Sequence, residues 1–513
     1  MRKNILLLAL VFLTSLSAMI GCNADDDPGS TTGQAKADDD DDNDTADDDD
    51  DNDDDNDDDN DDDNDSGDDD DDDDDDNDND NDDDDDDNDT SPVPPTPQIT
   101  DDLGREVIIH GVNVFGLEFG SWWVQQEDFD RIAGWGFTHV RLPIAWKYME
   151  PVEGEWDDTY LIEHVAPVLD MIENAGLKAI VGMHQWQFCS TFGGNGAPDW
   201  ACAEGYSPDL FGLIQFAADF WSRDLDEHWA TAWELVWDTV GEHPAIWGYD
   251  LFNEPWGGVQ TAFPAFERDT LTPFYQDLID RLRTRDTVRW ALVEPDLFNT
   301  ILPCQLEPLD DSRVVYAPHI YSGGTALDSI GYWVNEQFID WDNRRYDKDR
   351  DRLGWPVLVG EYGITSCVEG PAEWTRDSVS AHDRYTMSET VWVYSKDDCG
   401  WGLLDAAGNE KPYYLPYLIR PYPRAVAGHI ESYDFDFDTG VFELVFTNTA
   451  ATGVTEIYAP ARQYPGGFTV ECSDPAGTWS SEYDDETQVV SLQTDPDSPS
   501  HTVTVMPAAQ RNR

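Results

Sequence analysis

Two glutamates follow short apolar runs at places where they could act on one substrate. Glu254 ends the run YDLFNE at residues 249–254, and Glu361 ends the run VLVGE at residues 357–361. Two facing carboxyl groups can hydrolyse a glycosidic bond, because one protonates the leaving oxygen while the ionised partner acts at the anomeric carbon or on a water. Metal binding is the alternative use, but no third acidic ligand joins the pair from a neighbouring strand end. The pair therefore favours glycoside hydrolysis, which requires neither a cofactor nor a metal.

Other polar and aromatic residues stand at the ends of similar runs. They are Arg141, His184, Gln185, Asn253, His319, Tyr321 and Trp392. An aromatic rim is expected from four tryptophans, Trp122, Trp123, Trp186 and Trp256. Each residue alone is also compatible with core packing or a structural hydrogen bond. Their recurrence at the ends of runs indicates one shared substrate-binding mouth.

Eight apolar runs alternate with longer amphipathic segments from residue 106 onward. The runs span residues 107–114, 138–143, 178–184, 246–252, 289–293, 314–319, 357–361 and 390–394. Helix-like segments separate most of them, such as residues 160–175 with one apolar face. Eight strand-then-helix units predict an α/β fold, a closed (β/α)₈ TIM barrel whose active site lies at the carboxyl ends of the strands. An open doubly wound sheet is the alternative, but no glycine-rich phosphate turn follows the first run.

The pattern changes after Pro421 to short alternating strands separated by turn residues. These strands span residues 433–437, 441–447, 455–458, 468–472, 489–492 and 502–505. They predict a small β-sandwich. We therefore expect a catalytic barrel at residues 99–420 and a C-terminal β-sandwich at residues 421–513.

The first 22 residues have the features of an export signal. Two basic residues precede an apolar run at residues 5–13 that is too short to span a bilayer. The sequence MIGC at residues 19–22 resembles the lipobox of bacterial lipoproteins, in which the cysteine is lipid-modified. We expect a lipoprotein signal peptide at residues 1–22, and an exported protein that Cys22 anchors to the bacterial outer membrane or cell surface. A plain signal peptide with an incidental cysteine is the alternative.

Residues 23–98 consist mainly of Asp, Asn and other polar residues. Residues 25–89 contain 42 Asp and one basic residue, Lys36. Such a segment has too little apolar surface to fold and predicts a disordered, self-repelling linker. Calcium binding is the alternative, although the glycines that calcium loops need are nearly absent. The net charge of −81 over 513 residues argues against nucleic acid as a partner, because phosphate would be repelled.

Six cysteines remain besides Cys22. They are Cys189, Cys202, Cys304, Cys367, Cys399 and Cys472. An even number in an exported chain indicates disulfides, and six cysteines allow fifteen pairings. We expect Cys189 to pair with Cys202, because both flank one glycine-rich loop. No cysteine or histidine spacing is typical of a zinc site.

The motifs together resemble glycoside hydrolase family 5 of clan A, and within it the endoglycoceramidase branch. The family resemblance rests on Arg141, His184, Asn253-Glu254-Pro255, His319, Tyr321, Glu361 and Trp392. The branch resemblance rests on HGVN at residues 110–113, MHQ at 183–185, GNGAPDW at 194–200, GYDLFNEPW at 248–256 and RPYP at 420–423. The resemblance covers about residues 103–508.

The resemblance implies a retaining double displacement with Glu254 as acid/base and Glu361 as nucleophile, their carboxyl groups about 5–5.5 Å apart. Tyr321 would hydrogen-bond Glu361 and keep it ionised, and Arg141 would lower its pKa.

The resemblance also implies roles at the sugar. Asn253 would bind the 2-hydroxyl, His184 and His319 would position the ring, and Trp392 would stack beneath it. Gln185 and Trp256 would complete the substrate-binding set. Two positions depart from the branch: Trp186 stands where an acidic residue is expected, and FGLE at residues 115–118 stands where a lysine is expected. Both positions contact the sugar in that branch, so the sugar recognised here is left open.

The leading hypothesis is a retaining glycolipid hydrolase that releases a glycan or sugar from a ceramide-like or steryl aglycone. One alternative is an endo-β-glucanase that acts on a polysaccharide or oligosaccharide with the same chemistry. The other is a non-catalytic carbohydrate-binding lipoprotein, against which the retention of both glutamates argues. We expect a monomer.

Overall fold

The computed structural model describes residues 95–202, 205–222, 225–262 and 265–508. The predictions for the signal peptide, for Cys22 and for nearly all of the acidic linker lie outside these residues. Within the part of the chain that is described, no helix combines the length and apolar character needed to cross a bilayer.

Eight parallel strands form the predicted barrel. They are β1 (His110–Val114), β2 (His139–Ile144), β3 (Lys178–Met183), β4 (Ile246–Asp250), β5 (Trp290–Val293), β6 (Val314–Tyr316), β7 (Leu358–Val359) and β8 (Ser388–Tyr394). The hydrogen-bonded order runs from β6 down to β1 and then through β8 to β7. Two parallel bridges, Tyr316 with Val357 and His319 with Glu361, bring β6 beside β7 and close the ring. The barrel prediction is confirmed, and every predicted run overlaps its strand, although β2 ends one residue after its run and β8 begins two residues before its run.

Helices surround this ring. They are α1 (Gln126–Gly134), α2 (Ala166–Asn174), α3 (Leu210–Phe220), α4 (Leu225–Val240), α5 (Thr272–Arg283), α6 (Glu336–Leu353), α7 (Pro371–Arg384) and the short α8 (Leu415–Leu418). The predicted helix at residues 160–175 begins with a π-helical turn, Leu161–Val165, that continues into α2. Its apolar side chains at 161, 165, 168, 169 and 172 are buried, as the periodicity requires.

The barrel interior has two layers of opposite character. In-register neighbours on parallel strands point to the same side, and Arg141 pairs with Ile180 on β3 and Asn113 on β1. Ile180 belongs to an apolar cluster with Ile109, Leu292, Val315 and Leu358, which fills the interior toward the amino ends of the strands. Arg141 and its polar partners lie above this cluster, at the carboxyl ends.

Two four-stranded antiparallel sheets follow the barrel. Their strands are β9 (Tyr422–Ala425), β10 (His429–Asp436), β11 (Val441–Thr447), β12 (Thr455–Tyr458), β13 (Phe468–Cys472), β14 (Ser480–Asp484), β15 (Val489–Gln493) and β16 (Ser500–Pro507). One sheet has the order β10-β11-β16-β13 and the other β14-β15-β12-β9. All six predicted strands are present. The two that were not predicted carry weak signals, since Pro423 interrupts β9 and the SSEYD sequence of β14 lacks apolar alternation.

Two disulfides form, Cys189–Cys202 as predicted and Cys367–Cys399. The expectation of disulfides is confirmed, while Cys304 and Cys472 are free. Cys304 is buried in a barrel loop after β5, whereas Cys472 ends β13 in the sandwich. An even number of cysteines in the sequence does not show that these two lie in different parts of the fold.

A buried ion network joins the sandwich to the barrel. The Arg420 guanidinium donates two hydrogen bonds to Asp383 of α7, at 2.7 and 2.6 Å, and one of 2.9 Å to Glu389 of β8. All three side chains are buried. Nearby, the Tyr422 ring at the start of β9 stacks on His110 of β1 with a centroid distance of 3.7 Å.

Replacing Arg420 with methionine leaves Asp383 and Glu389 buried without their cation. We expect the free energy of unfolding to fall by about 3–5 kcal/mol, as measured by urea denaturation. Arg462→Met, which breaks a half-exposed pair with Glu410, is the control and should cost less than about 1 kcal/mol. Equal losses in the two variants would contradict a structural role for the Arg420 network.

Candidate active site

The barrel brings the predicted site residues together at one end. Arg141 lies within β2 and Trp392 within β8, while the remaining residues follow β3, β4, β6 and β7. Those remaining residues are His184, Gln185, Asn253, Glu254, His319, Tyr321 and Glu361. Because the carboxyl ends of all eight strands lie on the same side of the barrel, these side chains converge on its mouth.

Arg141 is the centre of the site, and its guanidinium is almost fully buried. Each of its five N–H groups donates a hydrogen bond to a different residue. Nε donates to Asp250 (2.7 Å), Nη1 to Asn113 (2.9 Å) and Glu361 (2.7 Å), and Nη2 to Asn253 (2.7 Å) and Glu294 (3.1 Å). The arginine thereby fixes the relative positions of β1, β4, β5 and β7 at the mouth.

Glu361 is held by donors on both carboxyl oxygens. Oε1 accepts the Arg141 bond, and Oε2 accepts a hydrogen bond of 2.9 Å from the Tyr321 hydroxyl. Burial raises the pKa of Glu361 above its ordinary value, and the nearby charges of His319 and Arg141 only partly oppose this. The predicted lowering by Arg141 is therefore present, but burial outweighs it.

Glu254 occupies an unusual backbone conformation directly after β4. Its φ is +45°, in the left-handed region that non-glycine residues seldom adopt. Its backbone N–H donates to Glu294 Oε2 at 2.8 Å, and its carboxyl Oε1 lies 3.0 Å from His319 Nδ1. One of its carboxyl oxygens lies within 4.8 Å of a Glu361 oxygen. This separation fits the retaining class and is short for the inverting class, which must seat a water between the carboxyls.

Glu294 is the functional residue that the sequence prediction missed. It follows β5, and its Oε1 lies 3.1 Å from His319 Nε2 as well as bonding Arg141. Glu294 is thus a third acidic residue at the mouth, although the group of close ligating atoms that includes both Glu254 and Glu361 has His319 as its third member. Burial raises the pKa of Glu294 above its ordinary value, and the charge of His319 opposes this rise. The sequence feature that could have identified Glu294 is its position, one residue beyond the fifth apolar run.

Two groups of side chains at the mouth have metal-ligating atoms close together. They are Glu254, His319 and Glu361, and Asp250, Glu294 and His319. Both groups include His319, whose pKa lies well above its ordinary value. Burial lowers this pKa, but the Glu294 and Glu361 carboxylates and the hydrogen bonds to Glu254 and Glu294 raise it by more. The raised pKa favours the protonated imidazole, in which both ring nitrogens are donors. The arrangement is therefore suited to moving and holding protons.

Gln185 and Asn253 brace the segment that carries Glu254. The Gln185 amide donates to the carbonyls of Asn253 and Glu254, both at 2.9 Å, and accepts from the Phe188 N–H. The Asn253 amide donates to the Gln185 carbonyl at 2.9 Å. Gln185 thus uses its amide on backbone groups, which makes it a positioning residue here.

Two aromatic rings at the mouth lie parallel to each other. The His184 imidazole lies parallel to the Trp392 indole, with centroids 6.1 Å apart and planes 10° apart. His184 Nδ1 is buried without a hydrogen-bond partner, and burial lowers the pKa of this residue well below its ordinary value. A neutral imidazole with a free polar atom fits the predicted contact with a sugar hydroxyl.

A small apolar recess of about 20 Å³ borders Glu254. Its walls include Trp186, Phe188, Leu213, Trp256 and Leu297. Trp256 is buried, so its placement in an exposed rim is wrong and it forms a wall of this recess. Its ring contacts Phe298, with the ring centroids 6.0 Å apart, and the segment that follows packs against α3, where Gln260 Nε2 donates to the Ala218 carbonyl at 3.3 Å.

Comparison with known proteins identifies the chain at the level of its family. Residues 101–398 match the model described as Cellulase (glycosyl hydrolase family 5), and residues 420–505 match the glycoside hydrolase family 5 C-terminal domain. Endoglycoceramidase I of Rhodococcus hoagii is 27% identical over 412 residues, which cover 73% of this chain and 80% of that protein. Endoglycoceramidase of Hydra vulgaris is 24% identical over 74% of this chain and 82% of its own length.

The solved structures include endo-glycoceramidase II from Rhodococcus sp. in complex with ganglioside GM3. It is 28% identical and superposes with a TM-score of 0.71, covering 81% of this chain and 100% of that chain.

Tyr321→Phe removes one hydrogen bond to Glu361 without changing the size of the side chain. The pKa of Glu361 should rise further, so the acid limb of the kcat/KM profile should move to higher pH and activity below neutral pH should fall roughly tenfold. Hydrolysis of an aryl β-glycoside across pH measures this. Tyr332→Phe removes a similar bond to Asp377 and should leave the profile unchanged. An unmoved acid limb in Tyr321→Phe would contradict the assigned role.

Proposed function

The chain belongs to glycoside hydrolase family 5, and from this premise we propose that it hydrolyses glycolipids with retention of anomeric configuration. One observation carries the proposal: the carboxyl oxygens of Glu254 and Glu361 lie within 4.8 Å of each other. Glu361 is held by Arg141 and Tyr321, and Glu254 contacts His319. The same two carboxyl groups can therefore serve both halves of a double displacement.

In the first half, a Glu361 oxygen attacks the anomeric carbon while Glu254 gives its proton to the glycosidic oxygen. The aglycone leaves as an alcohol, and the sugar remains as an ester of Glu361. Arg141 and Tyr321 hold the attacking carboxylate in place, which reduces the entropy that the encounter costs. In the second half, Glu254 removes a proton from water, and the water oxygen attacks the anomeric carbon from the face that the aglycone left, displacing Glu361 from the opposite face. The two inversions give net retention.

The apolar recess supports a lipid aglycone. It borders Glu254, which is the side from which the leaving group departs, and its walls are mainly aromatic and aliphatic. The similar proteins named endoglycoceramidase, and the related structure that contains ganglioside GM3, support a ceramide-like aglycone. A steryl aglycone would use the same apolar contacts. An endo-β-glucanase would share the two glutamates but would need sugar contacts along both sides of the cleft.

A substrate panel tests the proposal. We expect glycosphingolipids or steryl glucosides to be cleaved, with ¹H NMR showing the β-anomer of the released sugar first. Glu361→Ala should lose at least about 10⁴-fold in kcat, while the Tyr332→Phe control stays active. Cleavage of soluble β-glucans alone would instead establish the glucanase. Release of the α-anomer first would exclude retention.

We also propose that the protein is exported, anchored by lipid on Cys22, and monomeric. The lipobox-like MIGC sequence at residues 19–22 and the preceding apolar run support the anchor. The acidic residues 25–89 would repel one another and extend, which would hold the catalytic part away from the membrane to which it is tethered.

Labelling with an alkyne-palmitate analogue in a bacterial host tests the anchor. The full chain should incorporate the label and fractionate with membranes, whereas Cys22→Ser should do neither. Cys472→Ser, which removes a free cysteine in the sandwich, is the control and should label normally. Labelling that survives in Cys22→Ser would contradict the proposal.

A further inference from the structure

Exposed aromatic side chains are confined to one end of the barrel. Among the described residues, every large aromatic residue with high exposure follows the carboxyl end of a strand or lies in the first two turns of the next helix. They are Phe119, Trp122, Phe211, Trp333, Phe338, Trp341 and Tyr413. At the opposite end, the exposed large apolar residues are aliphatic: Leu103 before β1 and Val288 before β5. The aromatic end is the end that carries the active site.

One part of this surface is a rigid ridge after β6. The Trp333 indole is 72% exposed, yet its N–H donates to the Gly323 carbonyl. Phe338 and Trp341 lie on the first two turns of α6 with ring centroids 5.5 Å apart. The Asn335 side chain caps that helix by accepting from the Phe338 N–H at 3.0 Å. The ridge is therefore exposed but held in a fixed conformation, with the Arg345 guanidinium 5.3 Å from the centroid of the Trp341 ring.

A second part adjoins the apolar recess. Phe211, also 72% exposed, lies at the start of α3, and Val259 lies in the segment after β4. These two segments provide Leu213 and Trp256 to the recess beside Glu254. Phe211 and Val259 thus lie on the same two chain segments as the residues that line the recess beside Glu254, the predicted acid/base. We name Phe211, Val259, Trp333, Phe338 and Trp341 the apolar rim.

We propose that the apolar rim docks on an uncharged or zwitterionic lipid surface, so that the enzyme cleaves glycolipids while their tails stay in the aggregate. This inference rests on the proposed glycolipid activity. Exposed aromatic and aliphatic side chains on one face of a protein gain free energy by entering the boundary between headgroups and acyl chains. Tryptophan suits that boundary because its N–H remains hydrogen-bonded while its ring enters the apolar layer.

Charge decides which lipid surface fits. Outside residues 25–89, the chain still carries 68 Asp and Glu against 28 Lys and Arg. An anionic membrane would repel such a protein. Electrostatic docking on anionic lipid requires patches of basic residues, and basic residues are the minority here. Attachment therefore depends on apolar contact, which salt does not weaken. A polysaccharide surface fits less well, because it offers no apolar layer for the exposed aliphatic side chain of Val259 to enter.

Vesicle flotation tests the docking itself. The full chain with Cys22→Ser, which cannot be lipidated, and Glu361→Gln, which should not turn over substrate, is mixed with phosphatidylcholine vesicles. We expect binding that persists in 0.5 M salt (roughly a 4 Å screening length) and weakens when phosphatidylglycerol is added. Adding Phe211→Ser, Trp333→Ser and Trp341→Ser should reduce the bound fraction at least about tenfold. Adding Leu103→Ser and Val288→Ser, at the opposite end, should not.

Kinetics separate docking from catalysis. With an active Glu361, the triple rim variant should lose at least about tenfold in activity on glycosylceramide in vesicles. It should stay within about twofold of the parent on a soluble aryl β-glycoside. An equal loss on both substrates would mean a folding or active-site defect and would overturn the assignment of these residues to docking.

The other outcomes also discriminate. Absence of vesicle binding by the parent, with aryl glycoside hydrolysis intact, overturns the docking proposal and leaves the hydrolase standing. Vesicle binding without cleavage of any glycolipid, in vesicles or in detergent, overturns the proposed substrate instead. Rim-dependent binding to insoluble β-glucan in place of vesicles would make the rim a polysaccharide-binding surface.

Discussion

The buried guanidinium of Arg141 is the constraint on which the site depends. A cation removed from water is tolerated only when its donors find acceptors, and here each of the five N–H groups has one. The acceptors come from β1, β4, β5 and β7 or from the residues that directly follow them. The barrel supplies these side chains from strands distant in sequence, and in turn the arginine fixes their spacing. Glu361 is one of these five acceptors, so its position is set by its hydrogen bond from the Arg141 guanidinium.

This arrangement makes the two catalytic carboxyls unequal. Glu361 receives one hydrogen bond from Arg141 and another from Tyr321. Arg141 gives none of its hydrogen bonds to Glu254, which instead lies beside the His319 imidazole. The donors on both oxygens of Glu361 oppose the rise in its pKa that burial causes, whereas a carboxyl that faces an imidazole can exchange a proton. Unequal surroundings of two carboxyl groups are the usual basis for separate acid and nucleophile roles.

Glu294 links these two environments. It bonds Arg141, contacts His319 and accepts the backbone N–H of Glu254. The left-handed backbone of Glu254 is unfavourable by itself, and the bond from its N–H to Glu294 offsets part of that cost. A single buried carboxylate therefore positions the acid/base through both its backbone and its imidazole neighbour.

The sequence predicts the barrel well because strand interiors need continuous apolar runs, and those runs are legible at all eight strands. It predicts Glu254 and Glu361 because both end such runs. Glu294 is harder to find, since it lies one residue past its run and precedes Pro295, which gives the segment the composition of a loop. The inward orientation of the Trp256 side chain could not be predicted from the sequence either, because the residue type indicates an aromatic ring but not its direction. The pairing of four cysteines out of six depends on which chain segments meet, which an even count does not contain.

The mouth of the barrel changes from polar to apolar across Glu254. On one side lies the Arg141 network, whose hydrogen-bonding groups suit a sugar; on the other lies the recess walled by Trp186, Trp256 and Leu297. A molecule with a polar head and an apolar tail has the same change of character at the bond that joins its two parts. When such a molecule binds with each part in matching surroundings, that bond lies beside Glu254, which is where the leaving oxygen must receive its proton. The position of the proton donor and the amphiphilic form of the proposed substrate are thus consequences of one boundary in the site.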